Sequence, residues 1–448
     1  MFPSTIFLSG IDMRIVLLSE NGRGENGRGE RIRLRRLLPS WTALLTSHVS
    51  LLPLSLNVAL LASSLSAADW PQFRGPAATG ATDEANPPVE WSADKNVAWI
   101  AELPGVGFSQ PVIVGETVYV TSSSGPSNER LHVSCFDATS GKPRWHRQFW
   151  ATGRTVVNQE MRVATPTPVA TAERVYAFFS SNDLICLDAD GNLLWYRGLM
   201  YDYPNATNSL GMASSPVLTR DTLVCQLETD DASFAIGLDA DTGENRWKID
   251  RFRKANWTSP VVFNSDDGPL VLLEGAKDVT AVEPTSGKTA WSFAGGGSTL
   301  SSVVAADGIV FVPNNGVTAI RPPAGGSSPE TLWRTPKLNC SFVSPVVYHG
   351  RVYTINGSGV LNCGDAKTGE VLWQMRLGGS YWGTPSAADG RLYCPTREGV
   401  VKVVDVSGEK GEILAENEIG EPLSCPPALA DNALYIRTDT KLWKVAAP

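Results

Sequence analysis

The chain has 448 residues, 42% of them hydrophobic and 19% charged, with a formal charge of −8. That length and apolar content suffice for a large core, and the acidic balance opposes binding to nucleic acid or anionic lipid surfaces. The 41 glycines and 30 prolines fall at turn positions rather than in low-complexity runs, which suits an all-β chain and excludes a disordered one.

Residues 1–68 differ from the rest. Arg31, Arg33, Arg35 and Arg36 precede an apolar run over residues 49–65 that ends in Ser66-Ala67-Ala68. A basic region, a hydrophobic region and a small-residue cleavage site in that order predict export to the periplasm or the exterior, with cleavage near Ala68. Pro53, Asn57 and several serines make the run a poor membrane span. Seven arginines and four acidic residues would leave with this segment, so the exported chain would carry 31 basic and 42 acidic residues. The first cysteine is Cys135, so the expected mature terminus has no thiol for lipid attachment. Residues 69–89 read as an N-terminal extension, and residues 90–448 as a repeat array.

The array is clearest over residues 343–377. Four β-branched or aromatic runs alternate there with glycine-centred turns at His349-Gly350, Gly357-Ser358-Gly359 and Lys367-Thr368-Gly369, as a four-stranded antiparallel meander requires. The dipeptide opening its first strand recurs as Gln110-Pro111, Thr167-Pro168, Ser215-Pro216, Ser259-Pro260, Ser344-Pro345, Thr384-Pro385 and Pro426-Pro427, with Ser302-Val303 a degenerate copy. The spacing of roughly 40–57 residues is that of a propeller blade. Trp145, Trp195, Trp247, Trp291, Trp333 and Trp373 close six successive copies, and an Asp-x-x-Thr/Ser-Gly turn recurs at Asp137, Asp239 and Asp365, in looser form at Asp188, Glu283 and Asp405. The last copy has residues for only three strands, while residues 95–103 supply an unattached strand carrying Trp99. These features predict an all-β, eight-bladed β-propeller of four-stranded antiparallel blades, its ring closed by the N-terminal strand. Blade seven has no tryptophan near Ile413 and Leu414, which predicts the weakest contact between blades there.

Seven cysteines in an exported chain raise the question of disulfides. Cys135, Cys186 and Cys363 share one register with Gly237 and Ala281, two residues before the turn acid. Cysteine there stands in for a small apolar residue, so no disulfide framework is expected.

The order Gly-x-x-Tyr, Leu-Asp-Ala, Thr-Gly and Trp, seen in residues 350–373 and, in looser form, 174–195, resembles the repeats of the pyrroloquinoline-quinone (PQQ) propeller superfamily. The opening Asp69-Trp70-Pro71-Gln72-Phe73-Arg74-Gly75-Pro76 resembles that of secreted quinoprotein-like propellers of planctomycete bacteria. The resemblance implies the quinoprotein alcohol dehydrogenase type of fold, with Trp99, Trp145, Trp195, Trp247, Trp291, Trp333 and Trp373 docking into neighbouring blades. For the superfamily's enzymes it implies PQQ on the ring axis, Ca²⁺ held by carboxylate and amide oxygens, an Asp base and often a pair of adjacent cysteines. This chain has no adjacent cysteines and no Cys-x-x-Cys-His haem motif. Its four histidines form no His-Glu-x-x-His pattern, and no metal site is expected.

A mouth formed by the loops entering each first strand and those between second and third strands remains. These loops carry Phe108, Arg162, Asn256, Trp257, Lys277, Asn314, Phe342, Asn356, Tyr381, Trp382 and Arg397, with Glu160, Glu228 and Asp231 as the acidic residues of that face. Aromatic rings beside amides and cations suit a sugar, peptide or quinone. The reading from sequence is an exported, monomeric binding or assembly scaffold of the cell envelope, without catalysis or cofactor. Its partner would be an envelope protein, a small molecule or a glycan. The alternatives are a PQQ- and Ca²⁺-dependent alcohol or sugar dehydrogenase and a carbohydrate-binding propeller.

Overall fold

The computed structural model describes residues 69–207, 210–324 and 328–448; the export segment expected over residues 1–68 lies outside them. Seven sheets have four strands and one has five; six of them are built wholly from consecutive antiparallel strands, and the other two each take in one strand from the N-terminal part of the chain. The blade legible first in the sequence consists of Val346–Tyr348, Arg351–Ile355, Val360–Asp365 and Val371–Arg376. His349 and Gly350 both hold positive φ in its first turn, at 48° and 70°. Innermost strands of successive blades touch, and that of blade one touches that of blade eight, so the array closes on itself. Val97–Glu102 pairs antiparallel with Lys441–Ala446, in register from Val97↔Val445 to Glu102↔Lys441. The ring is thus an eight-bladed propeller shut by its N-terminal strand.

Neighbouring blades are joined by two devices. The first couples each closing tryptophan to the following blade's turn. Trp99, Trp145, Trp195, Trp247 and Trp333 donate Nε1–H to the carbonyls of Ala138, Ala189, Ala240, Pro284 and Ala366, the residue after each turn acid, at 2.7–3.1 Å. The turn glycine lies flat against the ring: a Cβ on Gly141, Gly287 or Gly369 would stand 2.5–2.6 Å from the indole. Beneath each ring in its own blade sits a small residue, as in the pairs Cys135↔Trp145, Cys186↔Trp195, Gly237↔Trp247, Ala281↔Trp291 and Cys363↔Trp373. This explains the register shared by the cysteines, and all seven cysteines are unpaired.

The second device uses the dipeptide that opens each blade. The backbone N–H groups of Gln110, Thr167, Ser215, Ser259, Ser302 and Ser344 donate to the hydroxyls of Thr167, Ser215, Ser259, Ser302, Ser344 and Thr384, one blade further on, at 2.9–3.0 Å. A Ser or Thr before the proline is therefore an axial clasp. Blade eight has Pro426 at this position and interrupts the circle; Gln110 spans the gap, its Nε2 donating to Pro427 O at 2.8 Å.

The extension read as residues 69–89, outside the propeller, is part of it. Trp70 bridges to Ile113 of blade one, and Pro71 accepts from Ala170 N of blade two. Arg74 accepts from Gly80 N at its carbonyl, donates its own N–H to Gln110 Oε1 and donates from Nη2 to Val303 O of blade five. Ala81–Thr82 then pairs parallel with Ser386–Ala388, adding an inner fifth strand to blade seven. A short segment thus touches blades on opposite sides of the ring and spans its axis.

The following residues fill the seam expected to be weak. Tyr393 donates its hydroxyl to Pro87 O, Trp91 N donates to Asn417 Oδ1, and Asn417 Nδ2 donates to Val89 O. Where other blades carry tryptophan, blade seven places Ala415 opposite Val403. Trp91, 5% exposed, packs in the same cluster as both and as the core of blade eight. A tryptophan from outside the repeat supplies the missing apolar bulk.

Candidate functional site

Eight connections lead from the outer strand of one blade to the inner strand of the next, and they all emerge on one face. Because inner strands begin at the axis, the ends of these connections crowd around it. They enclose a recess of about 290 Å³ lined by Phe108, Trp257, Phe342 and Trp382, with Glu160, Met161 and Leu300 beside them. Phe73, from the segment that spans the axis, also lines the recess. Below the aromatic rings the wall is formed by Thr167, Ser215, Ser259, Ser302, Ser344 and Thr384, the clasp hydroxyls.

Two arginines brace the aromatic wall. The Arg162 guanidinium lies 4.7 Å from the centre of the Phe108 ring and pairs with Asp439 at 2.7 Å. Arg397 lies 4.4 Å over Trp382 and pairs with Glu160 at 2.5 Å. Trp382 stacks on Phe342 with centroids 5.1 Å apart, and Trp257 donates Nε1–H to Gly211 O at 2.8 Å. Each cation over a ring gains from the ring's negative face, and each carboxylate fixes the cation. The rim is thereby held in place.

The remaining expected residues lie elsewhere. Asn256 is buried, donating to Glu228 Oε2 and Glu274 O at 2.9 and 2.8 Å. Glu228 is paired with the buried Arg251; its burial raises its pKa against that pairing. Lys277 lies 5.9 Å over Phe252, Asn314 donates to Gly295 O, and the Asn356 side chain accepts from Ser358 N and Val360 N within its own turn. Tyr381 belongs to the core of blades six and seven, where burial raises its pKa. Asp231 does not line the recess. Lys277, Asn314 and Asn356 sit on turns between second and third strands, further from the axis than the loops that enter first strands. Arg397 starts from such a turn and reaches inward by its long side chain.

Sequence reading missed Phe73 and the six hydroxyls. The hydroxyls were visible as the repeat marker, but only the ring geometry turns them toward a shared space. Among the described residues, Glu160 is the one carboxylate lining the recess, and no three His, Cys, Asp or Glu side chains gather closely enough to hold a metal ion.

The family profile described as outer membrane protein assembly factor BamB matches residues 81–237, 230–325, 313–416 and 357–447. The chain belongs to this BamB family. Its overlapping matches follow the blade repeat and together run from the inner strand of the extension to the last blade. BamB of Yersinia pestis is 27% identical over 204 residues, covering 41% of this chain and 51% of that protein. A polyvinylalcohol dehydrogenase of Pseudomonas sp is 24% identical over 407 residues, covering 79% of this chain and 55% of the enzyme. The chain thus spans about half the length of these curated relatives. Among solved structures, BamB from Moraxella catarrhalis superposes with a TM-score of 0.56 at 16% identity, covering 78% of this chain and 97% of that one. A europium-containing methanol dehydrogenase superposes with a TM-score of 0.64 at 13% identity, covering 83% and 90%. At such identities the superpositions establish the shared propeller fold and nothing about activity.

Proposed function

We propose that the chain is an exported binding or assembly scaffold of the cell envelope, which docks a partner on the axial mouth and carries out no reaction there. The observation that carries this reading is the distribution of exposed apolar side chains. Among the described residues, Trp150, Val156, Tyr201, Leu210, Phe252, Leu300 and Phe342 are 42–77% exposed and lie on or at the ends of the connections that form the mouth face. The other exposed large apolar side chains, Ile100, Leu193, Leu194, Leu372 and Leu414, are aliphatic and spread over the outer strands of four blades. All the exposed Phe, Tyr and Trp side chains among the described residues thus fall on the mouth face, and such a concentration is a signature of a docking site. The donor set supports the absence of quinone chemistry. Calcium takes six to eight oxygens, with carboxylates prominent among them. The recess offers Glu160, already paired with Arg397, so its residues do not fit a calcium-bound quinone.

Photo-crosslinking in cells tests the scaffold. A crosslinking residue at Phe342 or Trp257 is expected to capture a discrete envelope protein, while one at Leu372, on the outer strand of blade six, is not. Equal capture from both positions, or none from the mouth, would count against it. Titrating the purified protein with PQQ and Ca²⁺ tests the rival: a stoichiometric complex that reduces dye in the presence of alcohol makes the chain a dehydrogenase. Glycan binding lost on Trp257→Ala or Trp382→Ala would make the partner a carbohydrate.

A further inference from the structure

The six clasp hydroxyls are each only half used. Thr167, Ser215, Ser259, Ser302, Ser344 and Thr384 are 1–4% exposed, and each accepts one backbone N–H. Among the described residues, none donates its own hydrogen to a protein acceptor. All six line the recess. Accepting an N–H polarises a hydroxyl and strengthens the bond it can donate, and a buried donor left without an acceptor is disfavoured. The lower wall is therefore a ring of O–H donors around a common centre.

A second, independent observation has the same sign. Arg74 and Arg437 are each 1% exposed, and neither has a carboxylate within ion-pair distance among the described residues. Nε and Nη1 of Arg74 and Nη2 of Arg437 have no hydrogen-bond partner. Arg74 follows Phe73 in the segment spanning the axis and binds the carbonyl of Val303, next to Ser302. Arg437 donates to the carbonyl and hydroxyl of Ser109, next to Phe108, and a Cβ on Gly107 would meet its Nη2. Burial lowers both guanidinium pKa values to about 10, which still leaves them charged at neutral pH. Glu274, the carboxylate acting on Arg74 through space, is occupied by the N–H groups of Val303 and Ser298. Two buried cations thus stand near the recess without lining it, one bonded to the residue next to Ser302 and one to the residue next to Phe108.

We propose that the axial recess binds a small organic monocarboxylate, its carboxylate held by the clasp hydroxyls and its apolar body held among Phe73, Phe108, Trp257, Phe342 and Trp382. This rests on the reading of the mouth as a binding site and names its ligand class. Neutral donors facing the ligand, with buried cations nearby that do not touch it, suit a single delocalised negative charge. A phosphate, with its higher charge, is better served by guanidinium groups in direct contact, and here neither Arg74 nor Arg437 lines the recess. The recess of about 290 Å³ is at the small end of ligand sites and takes a one-ring molecule.

Calorimetric titration of the purified protein with benzoate and with its neutral isostere benzamide tests the proposal. Benzoate is expected to bind at least tenfold more tightly than benzamide. Ser302→Ala and Thr384→Val should each weaken benzoate at least fivefold and leave benzamide within twofold, while Thr384→Ser, which keeps the hydroxyl, should bind as the parent does. Equal affinities for the two molecules, or no saturable binding of either, overturn the proposal from the unaltered protein alone, so the outcome does not depend on the variants folding. Failure here with mouth cross-links intact removes the carboxylate and leaves the scaffold. Loss of the cross-links with benzoate binding intact does the reverse.

Discussion

Replacing Trp247 by phenylalanine isolates the hydrogen bond from the burial in a joint between blades. Trp247 and Trp291 are 8% and 5% exposed and occupy the same position in blades three and four. Trp247 donates to Pro284 O at 2.7 Å, whereas Nε1 of Trp291 has no partner. Truncation to alanine should destabilise both joints similarly, by about 3–5 kcal/mol. An independent route agrees: an aromatic side chain buries roughly 150–250 Å², worth ~4–6 kcal/mol at ~25 cal/mol per Å², an upper bound. Substitution by phenylalanine removes a similar amount of ring area at both sites, but only at Trp247 does it also remove a hydrogen bond, worth about 1 kcal/mol. A difference of that size is a ratio of about five in the local opening equilibrium. Hydrogen exchange followed by mass spectrometry should therefore show about fivefold more opening in Val279–Val282 for Trp247→Phe than in Val317–Arg321 for Trp291→Phe, each relative to the parent. Equal increases at the two joints would refute the assignment of the carbonyl contact as a stabilising bond.

Three further outcomes are expected. Hydrogen bonds from Arg246 and the Thr242 backbone hold Asp239 at a pKa of about 2, and bonds from Ser286 and Thr285 hold Glu283 at about 2 against the opposing effect of its partial burial. Both folded values lie below the unfolded ones, so their contribution is complete above about pH 5 and is lost as pH falls toward 2. Asp239→Asn should flatten the thermal midpoint in that window, and an unchanged slope would count against the capping role. His132 is depressed to about 4 by burial and then by His146 and Arg130, while it bonds Ser124 and His146 at 2.7 and 2.9 Å. Its contribution is present above about pH 6.5 and lost as pH falls to 4, so the difference in midpoint between the parent and His132→Gln should shrink across that range. A constant difference would show that protonation of this pair does not matter. Trp91→Ala should raise exchange in Glu412–Glu418 and Lys441–Ala446 while leaving blades three and four unaffected; no change at these strands would mean that Trp91 does not secure the seam.

Much of the site followed from the repeat. Phe108, Trp257, Phe342 and Trp382 could be placed at one mouth because each occupies the same connection in a different copy, and a closed ring brings equivalent positions together. The polar partners were harder to place. Asn256, Lys277, Asn314 and Asn356 are on the expected face, but their distance from the axis depends on blade geometry, and each has a local partner nearer than the recess. The pairing of Arg397 with Glu160 joins blades seven and one across the mouth, and no periodicity announces it.

The sequence by itself determined the blade: alternation, glycine turns and an in-phase tryptophan are local signals, each repeated often enough to reinforce the others. It also determined ring closure, since a strand lacking from the last copy and a spare one at the start have one economical pairing. The path of residues 69–96 was decided only by the tertiary structure. That segment is not part of the repeat, and its partners lie as far away as Val303 and Asn417. A chain that crosses the axis and runs on to a seam is stabilised by what the closed ring presents along that path: the Val303 carbonyl and the Gln110 side chain near the axis, and the gap beside Ala415 between blades seven and eight. Those features exist only once eight blades have assembled, so no stretch of sequence read alone could specify them.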